Sequence, residues 1–304
     1  MNKETLQNYN ERLNANNTSL DNAIQLINNL PEVSGTIEIT TNGTVDVTAY
    51  KTANVDVQIP KPTKGFTIEQ WDTDGNPLEM TIIGMKEIPA YYLHNSQNTT
   101  FKKIKKINLP VNVTKINNYA FYQCSNLTSI NLPDTITTIG GYAFQNCSSL
   151  DLEKLPESLT MISSYTFDGT NLSSLKTLPD KTIQVSNYSM SYSKLKQLSM
   201  LNVKTIQGGS QYAAPFYDCN NLKALWIGSA IYTSSTLGLS AHSFSGTSAL
   251  KKIFIDVPRS VIESNTNYSK AFSNGLHSTN IIICNDDVGF ITKEEFDATD
   301  WSSL

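Results

Sequence analysis

The sequence predicts an α+β chain, in which a solenoid of stacked strand-and-turn units forms a curved parallel sheet behind an N-terminal helix and a small β module. Three observations lead there. A small residue followed by an apolar one recurs at fixed spacing through the middle of the chain. Apolar residues recur every seven positions at its start. Alternating apolar runs flank an Asn-Gly pair between the two.

The recurring pair is Ala120-Phe121, Ala143-Phe144, Thr166-Phe167 and Ser189-Met190, each 23 residues after the last. It continues at Pro215-Phe216, Ser243-Phe244 and Ala271-Phe272 with steps of 26, 28 and 28, as longer outer loops would give, and Ile88-Pro89-Ala90-Tyr91-Tyr92 opens the series. Equal steps of this length are the signature of a stacked-repeat architecture. After Phe121 the order is Cys124, Leu127, Ile130, Leu132-Pro133, Ile136 and Ile139-Gly140. Alternation places Leu127, Ile130 and Leu132 inward and Asn131 outward, and Pro133 ends the strand by removing a ladder donor. Comparable strands are Ile104/Ile107/Leu109, Leu195/Leu198/Met200, Leu222/Leu225/Ile227 and Leu250/Ile253/Ile255, whereas Glu153 falls at an apolar position and Leu172 to Leu178 runs one residue long. One unit cannot bury its apolar face alone, so stacking supplies the stability.

Composition narrows the function. With 304 residues, 39% hydrophobic and 16% charged, the chain can bury a core. A net charge of −4 gives no broad basic face, so no nucleic-acid partner is expected. The N-terminus lacks the apolar stretch of a signal peptide, and no window approaches the ~20 apolar residues of a membrane span, so no membrane insertion is expected. Cys124, Cys147, Cys219 and Cys284 lie far apart, without zinc-ligand spacing. The first three share one repeat position, where a small thiol packs or donates to backbone.

Before the repeats, Leu6, Leu13, Leu20 and Ile27 form a heptad series, with Asn10, Asn17 and Ile24 four residues after the first three. These seven positions are candidates for oligomerisation through a parallel coiled coil, because seam asparagines fix register and chain number. A lone amphipathic helix packed on its own domain is the alternative. Pro31 stops the helix, and Thr36–Thr40, Val45–Val47 and Val55–Ile59 then read as strands, with a hairpin turn at Asn42-Gly43. Asp72-x-Asp74-Gly75 shares part of a calcium loop's pattern without its closing glutamate, and reads as a hairpin turn instead. The chain thus divides into residues 1–31 (helix), 32–62 (β module), 63–87 (capping segment), 88–285 (solenoid) and 286–304 (C-terminal cap).

The pattern Ala-Phe, Cys-x-x-Leu, Ile-x-Leu-Pro and Ile-Gly, carried by Ala120-Phe121 through Gly140 and Ala143-Phe144 through Ile162, resembles the BspA-type leucine-rich repeat over roughly residues 84 to 285. The stretch from Asn42 through Val57 is similar to a small β module of tailed-phage structural proteins, and Trp71-Asp72-Thr73-Asp74-Gly75-Asn76-Pro77 with Ile83-Gly84-Met85 resembles the segment leading into such repeats in phage proteins. These resemblances imply a non-enzymatic phage virion protein of tail, baseplate or head appendage. Such a protein would be a homo-oligomer, with a trimer favoured over a dimer. It would be attached to other virion proteins through its N-terminus and bound to a host cell-surface glycan or protein through its repeats. The alternative is a bacterial surface or secreted adhesin of BspA type that binds host matrix protein.

Signs of catalysis are few. His94, His242 and His277 have no metal-ligand spacing, and neither a nucleophile elbow nor a phosphate loop occurs. No cofactor is expected. The adjacent pairs Asp286-Asp287 and Glu294-Glu295 read as solvated charge. Steps of 28 residues place Trp226, Phe254 and Ile282 at one outward strand position, an apolar stripe expected to bind the chain's own tail, a neighbouring copy or a ligand. Phe290, Phe296 and Trp301 lie just downstream as candidate cover. Tyr188, Tyr192, Tyr212 and Tyr232 are further candidates for recognising sugar or protein, against burial in the repeat turns.

Overall fold

The computed structural model describes the backbone of residues 35–39 and 45–49, then residues 65–74, 77–93, 103–210, 212–233, 236–264, 271, 282–301 and 304. The heptad positions Leu6, Asn10, Leu13, Asn17, Leu20, Ile24 and Ile27 lie outside these residues, as do His94, His277 and Phe272.

Strands β1 (Gly35–Ile39) and β2 (Val45–Ala49) pair antiparallel, with Ile37 opposite Val47, as the alternating pattern predicts. Strands β3 (Gly65–Trp71) and β4 (Pro77–Ile83) form a second hairpin, and the Asp72 carboxylate accepts from the Asp74 amide 2.9 Å away in its turn. That turn is the hairpin reading of Asp72-x-Asp74. Met80 and Ile82 of β4 are buried, and β4 pairs in parallel with β6 (Lys106–Asn108), so the hairpin closes the first end of the solenoid.

Each coil then contributes to three ladders. The first holds the leucine-rich strands. In it β4, β6 and β8 (Ser129–Ile130) stack, and later β12 (Gln197–Met200), β14 (Ala224–Ile227), β17 (Lys252–Ile255) and β18 (Ile282–Cys284) form a four-stranded parallel sheet. The second ladder is built at the Ile-Gly positions by β5 (Glu87–Ile88), β7 (Lys115–Ile116) and β9 (Thr138–Ile139), then by β10 (Met161–Ile162), β11 (Gln184–Val185) and β13 (Thr205–Ile206). The third is made by turns, in which amides bond to the next coil's carbonyls: Phe121 to Ala143, Phe144 to Thr166, and Phe167 to Ser189, at 2.8–2.9 Å.

The single curved sheet expected from the repeat is broken in the middle. Where Thr128 N and Lys223 N bond to the preceding coil's backbone carbonyl, Ser174 N bonds instead to the Asp151 carboxylate (2.9 Å), which also takes the hydroxyls of Ser173 and Ser174. Burial works against ionisation of Asp151, but those serine hydrogen bonds outweigh it and hold the carboxyl below its ordinary value. The same coil carries Glu153, exposed where an apolar residue was expected, while Leu150, Leu152 and Leu155 still face the core. The α content is also small among the described residues, whose α-helices are α1 (Arg259–Ser264) and α2 (Lys293–Ala298).

One core runs the length of the stack. Phe121, Phe144 and Phe167 are fully buried, with successive ring centroids 5.2 and 5.6 Å apart, and Phe216 and Phe244 repeat the arrangement at 6.4 Å. The cysteines fill the role read from their position: Cys147 donates to Phe121 O (3.1 Å) and Cys219 to Met190 O (3.0 Å), and burial raises the Cys219 thiol to about 12. The Ile-Gly motif has a steric cause. A Cβ on Gly140 would lie 2.4 Å from Asn118 Oδ1 and 2.6 Å from its amide nitrogen, so only glycine lets the neighbouring coil approach.

The C-terminal end is closed by a clasp and a plug. Arg259 donates from Nε to Asp287 Oδ1 (2.8 Å) and from Nη2 to Asp287 Oδ2 and Ile282 O, while Asp286 accepts from the Arg259 amide (2.8 Å). Glu295 completes a capping box with Thr292 at the start of α2. These acidic residues, read from sequence as solvated, are therefore working structural partners, because the chain folds back to meet them. The Arg259 hydrogen bonds, with the Cys284 amide, hold the Asp287 carboxyl down to about 2. Its folded value lies below the ordinary ~3.9 of an unfolded aspartate, so the clasp contributes fully above pH ~4 and is lost as pH falls toward 2. Acid titration of tryptophan fluorescence should show a transition in that window, absent in Asp287→Asn.

Candidate functional site

The apolar stripe is the first candidate, and the structure covers it. Trp226 and Phe254 are opposite each other on β14 and β17 and are 4% and 3% exposed. Phe290, Phe296 and Trp301 pack on Phe254 with centroids 6.5, 6.0 and 5.5 Å away, and Trp226 Nε1 donates to Ile291 O (3.1 Å). The third member of the stripe is corrected: Phe254 pairs with Ile283, while Ile282 pairs with Ile253 and points into the main core. The last step between units is 29 residues, one more than equal spacing assumed, and one residue of slip reverses a side chain's face. This stripe is the solenoid's own end cap.

The turn ladder presents a different surface. Two residues before each repeat phenylalanine stands a tyrosine, at Tyr119, Tyr142 and Tyr165; Tyr188 precedes Met190 and Tyr91 precedes Leu93 in the same way. All five have φ between 56° and 61°, in the left-handed region that residues other than glycine rarely adopt. Each ring stacks on the next, Tyr91 to Tyr119 at 4.8 Å and Tyr119, Tyr142, Tyr165 and Tyr188 at successive centroid spacings of 4.5 Å, with planes within 12°. Left-handed backbone costs roughly 1–2 kcal/mol per residue, and an aromatic pair returns roughly 0.5–1.5 kcal/mol. The two nearly cancel, so the ladder adds little net stability. What it does add is a row of edges and hydroxyls at the surface.

The ladder stops at Tyr188, because the equivalent position in the next unit is Ala214. Beside that end lie Tyr192 and Tyr212, 54% and 57% exposed, both edge-on to Tyr217 at 5.7 and 5.8 Å. Below them is Asp168, 8% exposed. Its Oδ2 accepts from Gln145 Nε2 (2.7 Å), while its buried Oδ1 has no hydrogen-bond partner. Burial raises the Asp168 carboxyl. Its charge also reaches the neighbouring rings. Burial first, then Tyr188, Tyr142 and Asp168, push Tyr165 up to about 12, and Tyr192 is raised by burial, Tyr217, Asp218 and Asp168.

Of the tyrosines singled out from sequence, Tyr188 ends the ladder, Tyr192 and Tyr212 flank it, and Tyr232 packs partly buried against the core. Tyr91, Tyr119, Tyr142, Tyr165 and Asp168 were not singled out, although the 23-residue step that revealed the phenylalanines applies equally to four of the ladder tyrosines. His242 occupies the ladder position of its own unit, with φ 65°. Among the described residues no three His, Cys, Asp or Glu side chains converge as metal ligands, and no helix is long and apolar enough to cross a membrane.

Comparison with known proteins agrees with this architecture. Residues 86–223 match the family described as the BspA type leucine rich repeat region, in six copies. No curated protein matches the chain. Among solved structures it is similar to the pneumococcal vaccine antigen PcpA (21% identity, TM-score 0.48, covering 71% of this chain and 47% of that one). It is also similar to a leucine-rich repeat protein from Eubacterium ventriosum (21%, 0.44, 60% and 62%) and to a leucine rich cell surface protein from Faecalibacterium prausnitzii (18%, 0.39, 68% and 71%). The chain thus spans about half the length of the PcpA structure and under two thirds of the Eubacterium one. Residues 86–223 form a BspA-type leucine-rich-repeat region, and the described coils after it continue the same stack.

Proposed function

We propose that the chain is a non-enzymatic adhesion protein, displayed on or released from a bacterial surface, that binds a host surface or matrix component through the turn face of its repeats. The observation that carries this reading is the tyrosine ladder: five rings held in costly backbone conformations, aligned at the surface, with little net return in stability. Strained residues that persist in register point to a selected surface. The repeat type supports it too, since the BspA-type match covers the four coils that carry most of the ladder. The residues that argue for a virion appendage lie mostly outside the described ones, so this reading is preferred over that one.

The test is a binding assay on cultured epithelial cells and on matrix-coated plates with the purified full chain. The reading expects saturable, reversible binding and no soluble fragments released from cell-wall glycan. Absence of binding to either surface, or turnover of glycan, would overturn it.

A further inference from the structure

The end of the tyrosine ladder has the makings of a site, and three features there point to one class of ligand. First, the stacked rings spend their faces on one another, but Tyr188 is the last of them, and Ala214 in the next unit offers only a methyl group. A flat ring face is therefore available at that end, flanked by the exposed rings of Tyr192 and Tyr212. Second, Asp168 lies beneath this rim with one carboxylate oxygen hydrogen-bonded to Gln145 and the other unpartnered, although the side chain is over nine-tenths buried. An unsatisfied buried acceptor costs free energy that a ligand's donor would restore. Third, the charge around the rim is negative, since Asp218 and Asp168 both act on Tyr192 and neither is paired with a cation in the described ion pairs.

We propose that Tyr188, Tyr192, Gln145 and Asp168 form a binding site for a neutral carbohydrate, with a sugar ring against the Tyr188 face and a sugar hydroxyl donating to Asp168 Oδ1. A sugar combines the apolar face that stacks on an aromatic ring with the hydroxyl donors that a buried carboxylate lacks. An acidic sugar is disfavoured by Asp168 and Asp218. Tyr192, hinged on an exposed left-handed turn position (φ 54°), moves aside to admit the hydroxyl. The Tyr212 ring supplies the outer wall.

This inference rests on the turn face being the binding surface, and the experiment separates the two. Binding of the full chain to a neutral N-acetylglucosamine tetramer, an acidic hyaluronan tetrasaccharide and a lysine-rich peptide is measured by calorimetry, for wild type, Tyr188→Ala and Asp168→Asn. Asp168→Asn keeps the shape and an acceptor for Gln145 while removing a buried charge, so it folds, and thermal unfolding verifies this. The expected result is binding of the neutral tetramer, at least tenfold tighter than the acidic one, and weakened about tenfold or more by either substitution. Equal weakening is not expected of Tyr91→Ala, at the far end of the ladder. The proposal is overturned if neutral glycan does not bind, if only the peptide binds, or if Asp168→Asn and Tyr188→Ala leave the affinity unchanged. If cell or matrix binding persists in that case, the glycan assignment fails while the adhesion reading stands; if both are absent, both fail.

Discussion

Phe144→Ala should cost about 3–5 kcal/mol of unfolding stability, the usual range for deleting a buried aromatic side chain. The magnitude belongs at its upper end for a structural reason. Phe144 is fully buried and sits between Phe121 and Phe167 in the core stack, so its loss leaves a void bordered by rings from two neighbouring coils. The Thr166 and Thr170 hydroxyls, which donate to Gly140 O and Phe144 O, hold the surrounding turns in place and limit collapse into that void. In a stack held by nearest-neighbour contacts, weakening one interface uncouples the coils on either side. Chemical denaturation followed by circular dichroism should therefore show a lower midpoint and a broader transition. A loss below about 1 kcal/mol would mean that the phenylalanine column is not the spine of the stack.

Phe296→Ala should open the C-terminal cap without unfolding the solenoid. Phe296 is the fully buried residue of α2 and touches both Phe254 and Trp301, so its ring is what the cap plugs into the sheet. Losing it removes about 3–5 kcal/mol from a segment held otherwise by the Trp226–Ile291 hydrogen bond and the Arg259 clasp. Short terminal segments open locally at a fraction of the global stability, so the cap releases first. Trp226 and Phe254 would then face solvent as an apolar patch, and such patches drive association. Tryptophan emission should shift to longer wavelength, and light scattering should show a concentration-dependent rise in mass. Unchanged emission and mass would show that the cap is held by contacts other than Phe296.

The repeat was legible because its signal is periodic and local. Leu127, Ile130, Leu195, Leu198, Leu222 and Leu225 face the core as alternation predicts, and the thiols of Cys147 and Cys219 donate to backbone as their shared position suggested. Departures came where spacing was not constant or where a side chain replaced a backbone partner. Ile282 was assigned the face that Ile283 occupies, because one extra residue precedes β18. The sheet breaks at Asp151, whose carboxylate does the work of a ladder carbonyl, and nothing in an apolar pattern encodes that exchange. The acidic pairs near the C-terminus became clasp and helix cap because Arg259 and Thr292, remote or unremarked in sequence, reach them in the fold.

The tyrosine ladder was within reach of the same 23-residue step, yet its meaning depends on backbone conformation. A tyrosine in a right-handed turn would tuck its ring inward; at φ near 60° the rings line up along the surface. Asp168 is harder still, since its importance is an oxygen left without a partner, and that follows only from the packing around it.

The most direct test of the account compares faces of the solenoid in one adhesion assay. One variant replaces Tyr165, Tyr188 and Tyr192 by serine on the turn face; a control replaces Lys106, Ser129 and Lys252 by alanine on the leucine-strand ladder. The account predicts that the turn-face variant, folded by circular dichroism, loses most binding to cells and matrix while the control keeps it. Loss of binding in the control, with the turn-face variant unimpaired, would contradict it.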